Sequence, residues 1–258
     1  MKTYGPWACM TVAALLGACG GGGGDTPPAG QQQPTASVAG LYSGTTSGGR
    51  SVDALILGDG RMYAMVGGST GSGIATIFFG SGTVSASGFT SAVGGNLDTH
   101  SGAPLATGSA SLTGVPKTSI AGTLSDSGAP LLDFNLPYSA RFEGSARLAD
   151  VAGSYFGDST GLGRIISASI TVDATGAFSG QSPADGCVHS GTLTPNSSAN
   201  VFDVRIAFGD NCPKRGELRG HALWNAGSGT LPATLTMFAS SDLSRPSPDA
   251  WAYFAGRQ

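Results

Sequence analysis

Charge is the scarcest property of this 258-residue chain: Asp, Glu, Lys and Arg make up 11% of it, against about a quarter in ordinary globular domains. It holds only two glutamates (Glu143, Glu217) and three lysines (Lys2, Lys117, Lys214), so the helix formers that a helical bundle draws on are missing. The formal charge of −3 comes without a basic cluster, which removes the footprint that nucleic-acid phosphates require. No run of 18 apolar residues exists to span a membrane as a helix. Histidines number three, His100, His189 and His221, and each reads as a loop or strand-surface residue.

Glycine is what the chain has in excess: 43 residues, one in six, against a usual share of about 7%. It shows no G-x-y period, which excludes collagen. Apolar residues hold at 40% and aromatics at 8%, too many for a solvated disordered chain. The composition is that of a β protein rich in glycine, serine and threonine.

The N-terminus reads as a secretion signal, with Lys2 as the positive region and Trp7 to Leu16 as a short apolar core. It ends in Leu16-Gly17-Ala18-Cys19, which resembles the lipobox of bacterial lipoproteins: a branched apolar residue, two small ones, then cysteine. The resemblance implies cleavage after residue 18, acylation of the Cys19 thiol and its new amino group, and stable membrane anchoring. Gly20 stands where aspartate would imply inner-membrane retention in enteric bacteria, so the expected destination is the outer membrane. Residues 20–37, GGGGGDTPPAGQQQPTAS, have no apolar periodicity and read as a flexible linker with a mean reach of about 25 Å.

One unit occurs twice. Val38-Ala39-Gly40-Leu41-Tyr42-Ser43-Gly44 recurs as Val151-Ala152-Gly153-Ser154-Tyr155-Phe156-Gly157, identical at five of seven positions. Three further anchors keep the same order. Leu55 to Gly60 faces Ile170 to Gly176, Ser81 to Val84 faces Ser190 to Leu193, and Ile120-Ala121-Gly122 faces Leu218-Arg219-Gly220. Segments alternate with the two-residue period of half-buried strands, as in Val201 to Phe208, where Phe202, Val204, Ile206 and Phe208 share one face. Turn residues at Gly58-Asp59-Gly60, Asp126-Ser127-Gly128, Pro195-Asn196-Ser197 and Asn225-Ala226-Gly227 separate them. The expectation is an all-β protein of two antiparallel meanders, each of seven or eight strands. Two small eight-stranded barrels are the first arrangement; β-sandwiches or one larger shared sheet are the alternatives. The domain plan is a signal peptide over 1–18, lipidated cysteine and linker over 19–37, and β units over 38–150 and 151–258. The repeated Tyr42 and Tyr155 read as core aromatics whose hydroxyls are hydrogen-bonded at a corner.

Cys9 falls in the signal and Cys19 at the lipid site, leaving Cys187 and Cys212 to pair in an oxidising compartment. The bond would close a loop of about 25 residues and stabilise by about 3.5 kcal/mol in the chain-entropy model. His189 stands two residues from Cys187, but the spacing fits no zinc pattern, so no metal is expected. Gly67-Gly68-Ser69-Thr70-Gly71 matches the G-x-S-x-G of serine hydrolases. With 32 serines and this much glycine, about one such match arises by chance, and no helix follows to form the nucleophile elbow. The acidic residues lie scattered beside glycine in turns rather than paired for glycoside cleavage. No catalytic residue and no cofactor is therefore assigned. Arg50, Arg141, Arg164, Arg205 and Arg219 read either as the lining of a pocket for an acidic ligand or as strand-surface cations that keep an edge soluble.

Lipobox, linker and duplicated β pattern together resemble bacterial surface lipoproteins with small β-barrel lobes, the transferrin-binding and factor-H-binding groups. The resemblance implies a non-enzymatic binding or adhesion module on the outer membrane, facing either the periplasm or the exterior; those groups' host ligands are not implied. The other expectations are a periplasmic calycin-like carrier of a small apolar ligand, and a hydrolase using Ser69.

Overall fold

A computed structural model describes residues 36–68, 73–101, 103–161, 164–212, 216–245 and 247–258. The chain forms two closed eight-stranded antiparallel barrels, each a simple meander. The first consists of β1 (Gly40–Thr45), β2 (Ser51–Ile56), β3 (Arg61–Gly67), β4 (Ile74–Val84), β5 (Gly88–Asp98), β6 (Ala106–Val115), β7 (Ser119–Asp126) and β8 (Ala129–Ser139). The second consists of β9 (Gly153–Gly161), β10 (Arg164–Val172), β11 (Ala177–Ser182), β12 (Cys187–Pro195), β13 (Phe202–Phe208), β14 (Gly216–Asn225), β15 (Thr234–Ser240) and β16 (Ala250–Arg257). A single helical turn, α1 (Leu148–Val151), leads into the second barrel. Sandwiches and a shared sheet are thereby excluded: β8 closes on β1 through Leu41↔Ser139 and Tyr42↔Tyr138, and β16 closes on β9.

Both interiors are filled by side chains. Tyr42, Val52, Ile56, Met62, Phe78, Phe89 and Leu136 meet inside barrel 1, and Tyr155, Ile170, Phe202, Ile206, Trp251 and Tyr253 inside barrel 2. Eight strands leave an interior just wide enough for such a core. Alternation along β13 delivers Phe202, Val204 and Ile206 inward and Asp203, Arg205 and Ala207 outward.

The repeat has a local physical cause in each barrel. The Tyr42 hydroxyl donates to the Val38 carbonyl oxygen at 2.9 Å, and the Tyr155 hydroxyl donates to that of Val151 at 2.7 Å. Gly40 pairs with Ile56, and Gly153 with Val172, at matching positions. Gly60 and Gly176 turn the next hairpin at φ of 86° and 87°. A Cβ on either would lie 2.2 or 2.3 Å from the carbonyl oxygen of Gly82 or Leu193, so only glycine fits. Two of the sequence anchors shift. Arg61↔Ser81 matches Ala177↔Thr192, so Ser81 corresponds to Thr192 rather than Ser190. A two-residue slip keeps every side chain on its face, so alternation alone does not reveal it. Ile120 to Gly122 lie on β7, the seventh strand of barrel 1, whereas Leu218 to Gly220 lie on β14, the sixth of barrel 2; these are not equivalent.

Cys187 begins β12, and Cys212 lies just beyond β13, its hydrogen-bonded neighbour; the two form a disulfide with Cα atoms 4.5 Å apart. A Cys187→Ser/Cys212→Ser variant is expected to lose about 3.5 kcal/mol, read as a melting temperature lower by about 10 °C. An unchanged melting temperature on reduction would show that the bond constrains nothing.

Candidate functional site

Several strands of barrel 1 are apolar on both faces. On β3, Met62 and Ala64 point into the core while Tyr63 and Met65 point out; on β4, Phe78 points in while Ile77 and Phe79 point out. These outward residues, with Leu41, Leu55 and Leu97, pack against Phe238, Ala250, Ala252 and Phe254 on the outer face of β15 and β16. The barrels are therefore joined flank to flank by a third apolar cluster.

Its centre is an aromatic clamp. The Tyr63 ring stacks on Phe238 with centroids 4.9 Å apart and planes 9° from parallel, and Phe79 meets Phe238 edge-on at 6.4 Å. Such pairs add about 0.5–1.5 kcal/mol beyond the area they bury. The Tyr63 hydroxyl lies 3.2 Å from Nδ1 of His221 on β14, whose Nε2 lies 3.4 Å from an Asp203 carboxylate oxygen on β13. A neutral imidazole suits both neighbours, Nδ1 accepting from the phenol and Nε2–H facing the carboxylate. Burial pushes the His221 pKa down to about 4, and Asp59 and Asp203 counter this only in part. Burial likewise raises Tyr63 to about 12. Tyr63, His221 and Asp203 thus form a polar contact that ties the two barrels together.

Above this clamp opens a groove of about 750 Å³, lined from one side by Arg61, Tyr63, Ser81 and Thr83 and from the other by Glu217, Arg219 and Ser240 to Arg245. Its size falls within the range of about 300–1,000 Å³ typical of small-ligand sites, which favour domain junctions. Arg219 Nε is 2.9 Å from Glu217, and Arg61 Nε is 3.7 Å from Asp59. The Asp242 carboxylate accepts from the Ser244 backbone N–H and hydroxyl, which holds its pKa low.

Of the five arginines expected on strand surfaces, Arg50 precedes β2 and Arg141 lies in the short 3-10 turn Ala140–Phe142, whereas Arg205 and Arg219 come together, directly opposite one another across β13 and β14. Arg50 Nε donates to the Gly67 carbonyl oxygen at 2.8 Å and Arg141 Nε contacts Ser139, while Arg164 stands at the start of β10. The expected surface placement of the histidines holds for His100 alone. His189 and His221 are each 5% exposed. The His189 ring lies inside barrel 2 beside Phe208 and Trp251 and over Gly180, whose missing side chain makes room for it. Its Nε2 has no hydrogen-bond partner among the described residues, and burial takes its pKa down to about 4. Sequence reading missed Tyr63 and His221 as interface residues. The usable signal was the loss of strict alternation at Ala54 to Leu57, Met62 to Val66 and Ile77 to Phe79, which marks strands covered on both faces.

Cys19, the signal, linker residues 20–35 and Ser69 lie outside the described residues. No protein-family model matches this chain, and no curated protein or solved structure is significantly similar to it.

Proposed function

We propose that the chain is a lipid-anchored, non-enzymatic binding module of a bacterial outer membrane, with its ligand taken up between the barrels. The observation that carries this reading is the filling of both interiors by the barrels' own side chains. It favours recognition at the inter-barrel groove over transport of an apolar molecule inside a barrel. The anchor rests on Lys2, the apolar stretch from Trp7 to Leu16, and the Leu16-Gly17-Ala18-Cys19 ending. A disulfide between Cys187 and Cys212 fits an oxidising compartment outside the cytoplasm.

Growth with radiolabelled palmitate should label the wild-type chain, while Cys19→Ala should carry no label and leave the membrane fraction. Label retained on Cys19→Ala would overturn the anchor. Protease treatment of intact cells then separates the two faces: release of the barrels means surface display, and their survival means a periplasmic position.

A further inference from the structure

Outward side chains from both barrels line the groove, with Arg205 one strand beyond the lining. On barrel 1, Arg61, Ser81 and Val93 are in register across β3, β4 and β5. On barrel 2, Arg205, Arg219 and Ser240 are in register across β13, β14 and β15. Arg205 and Arg219 thus form a direct cross-strand pair of like charge, an arrangement that destabilises a sheet unless a counter-charge bridges it. Glu217 engages one edge of Arg219, and Arg205 makes no ion pair among the described residues. Arg245 adds a third guanidinium to the groove lining, beside an Asp242 carboxylate already engaged by Ser244. The groove lining thus carries guanidinium groups from both barrels, the planar, two-point donors with which arginine grips oxyanions. Hydroxyls of Ser81, Thr83, Ser240 and Ser241 surround them.

We propose that this groove binds a small molecule through a phosphate, sulfate or carboxylate group held between Arg61 of one barrel and Arg219 of the other. Arg205 reinforces the field from one strand away. This deepens the binding-module reading and rests on it. A bound oxyanion offsets the Arg205–Arg219 repulsion that Glu217 alone counters in the ligand-free protein.

The test uses the full chain in detergent micelles, with inorganic phosphate, sulfate and citrate as probes and chloride at equal ionic strength as reference. At least one probe is expected to raise the melting temperature and give a calorimetric isotherm. Arg61→Ala and Arg219→Ala should each weaken its binding about tenfold or more. Arg205→Ser should raise the melting temperature in chloride by about 1–3 °C while reducing the gain on adding the anion. Arg164→Ser, outside the groove lining, should behave as wild type. Absence of an anion-specific response, or a response that survives both Arg61→Ala and Arg219→Ala, overturns the proposal. Binding of maltotriose that Arg219→Ala abolishes, without any response to the three anions, overturns the oxyanion assignment and leaves the binding module standing.

Discussion

Acidification from pH 7 to pH 4 is expected to remove several kcal/mol of stability, well before the carboxylates with lowered pKa are protonated. His189 and His221 are each 5% exposed, and burial holds each near a pKa of about 4. In the unfolded chain both return to about 6.5. Above pH 6.5 both states carry neutral imidazoles and the term vanishes. Between 6.5 and 4 the unfolded state takes up protons that the folded state refuses, so stability falls as the pH falls. Each histidine contributes a loss on the order of 3 kcal/mol across that window. Protonation of His221 also turns Nδ1 from acceptor to donor, so its bond to the Tyr63 hydroxyl at the barrel junction has to reverse, the phenolic oxygen accepting and its proton turning elsewhere. Urea midpoints across this range should slope steeply for the wild type. They should flatten in His189→Gln/His221→Gln, where an amide replaces each imidazole. Equal wild-type midpoints at pH 7 and pH 4.5 would show that the imidazoles are not held neutral by burial.

Replacement of Trp251 by alanine is expected to destabilise the protein by about 3–5 kcal/mol. The indole is 2% exposed, lies parallel to the Tyr253 ring at 6.1 Å, and donates from Nε1 to the Ser159 hydroxyl at 2.9 Å. The truncation leaves a cavity in barrel 2 and strips the Ser159 hydroxyl, itself buried, of its donor. At this chain length the loss corresponds to a melting temperature lower by about 10–15 °C. Trp251→Phe keeps a ring in the stack and should cost less than half as much. The apolar cluster joining the barrels couples their unfolding, so calorimetry of Trp251→Ala should give one shifted peak. An unshifted peak beside a shifted one would mean that the barrels melt independently and that the junction contributes little.

Much of each barrel is legible in local sequence because strand alternation and turn chemistry act within a few residues. Phe202 to Phe208 shows its inward face directly, Gly60 and Gly176 announce their hairpins, and Tyr42 and Tyr155 repeat because each secures the same corner. Cysteine count, with an expected oxidising compartment, was enough to pair Cys187 with Cys212. The histidines misled for a physical reason: His189 and His221 occupy alternation positions whose burial depends on what covers them. His189 is enclosed by Trp251 from β16, and His221 by Tyr63, 158 residues earlier in the chain. The groove was invisible for the same reason, since Arg61 and Arg219 are ordinary outward residues until two curved surfaces meet.

Local sterics and the covalent chemistry of thiols, both readable along the chain, set the strand faces, the glycine-dependent turns, the duplicated corner and the disulfide. Long-range packing sets the rest: each sheet closes on itself, the barrels join flank to flank through Tyr63 and Phe238, and arginines from both line one groove. Period-two alternation records that a face is covered, and nothing in it specifies which distant strand provides the cover.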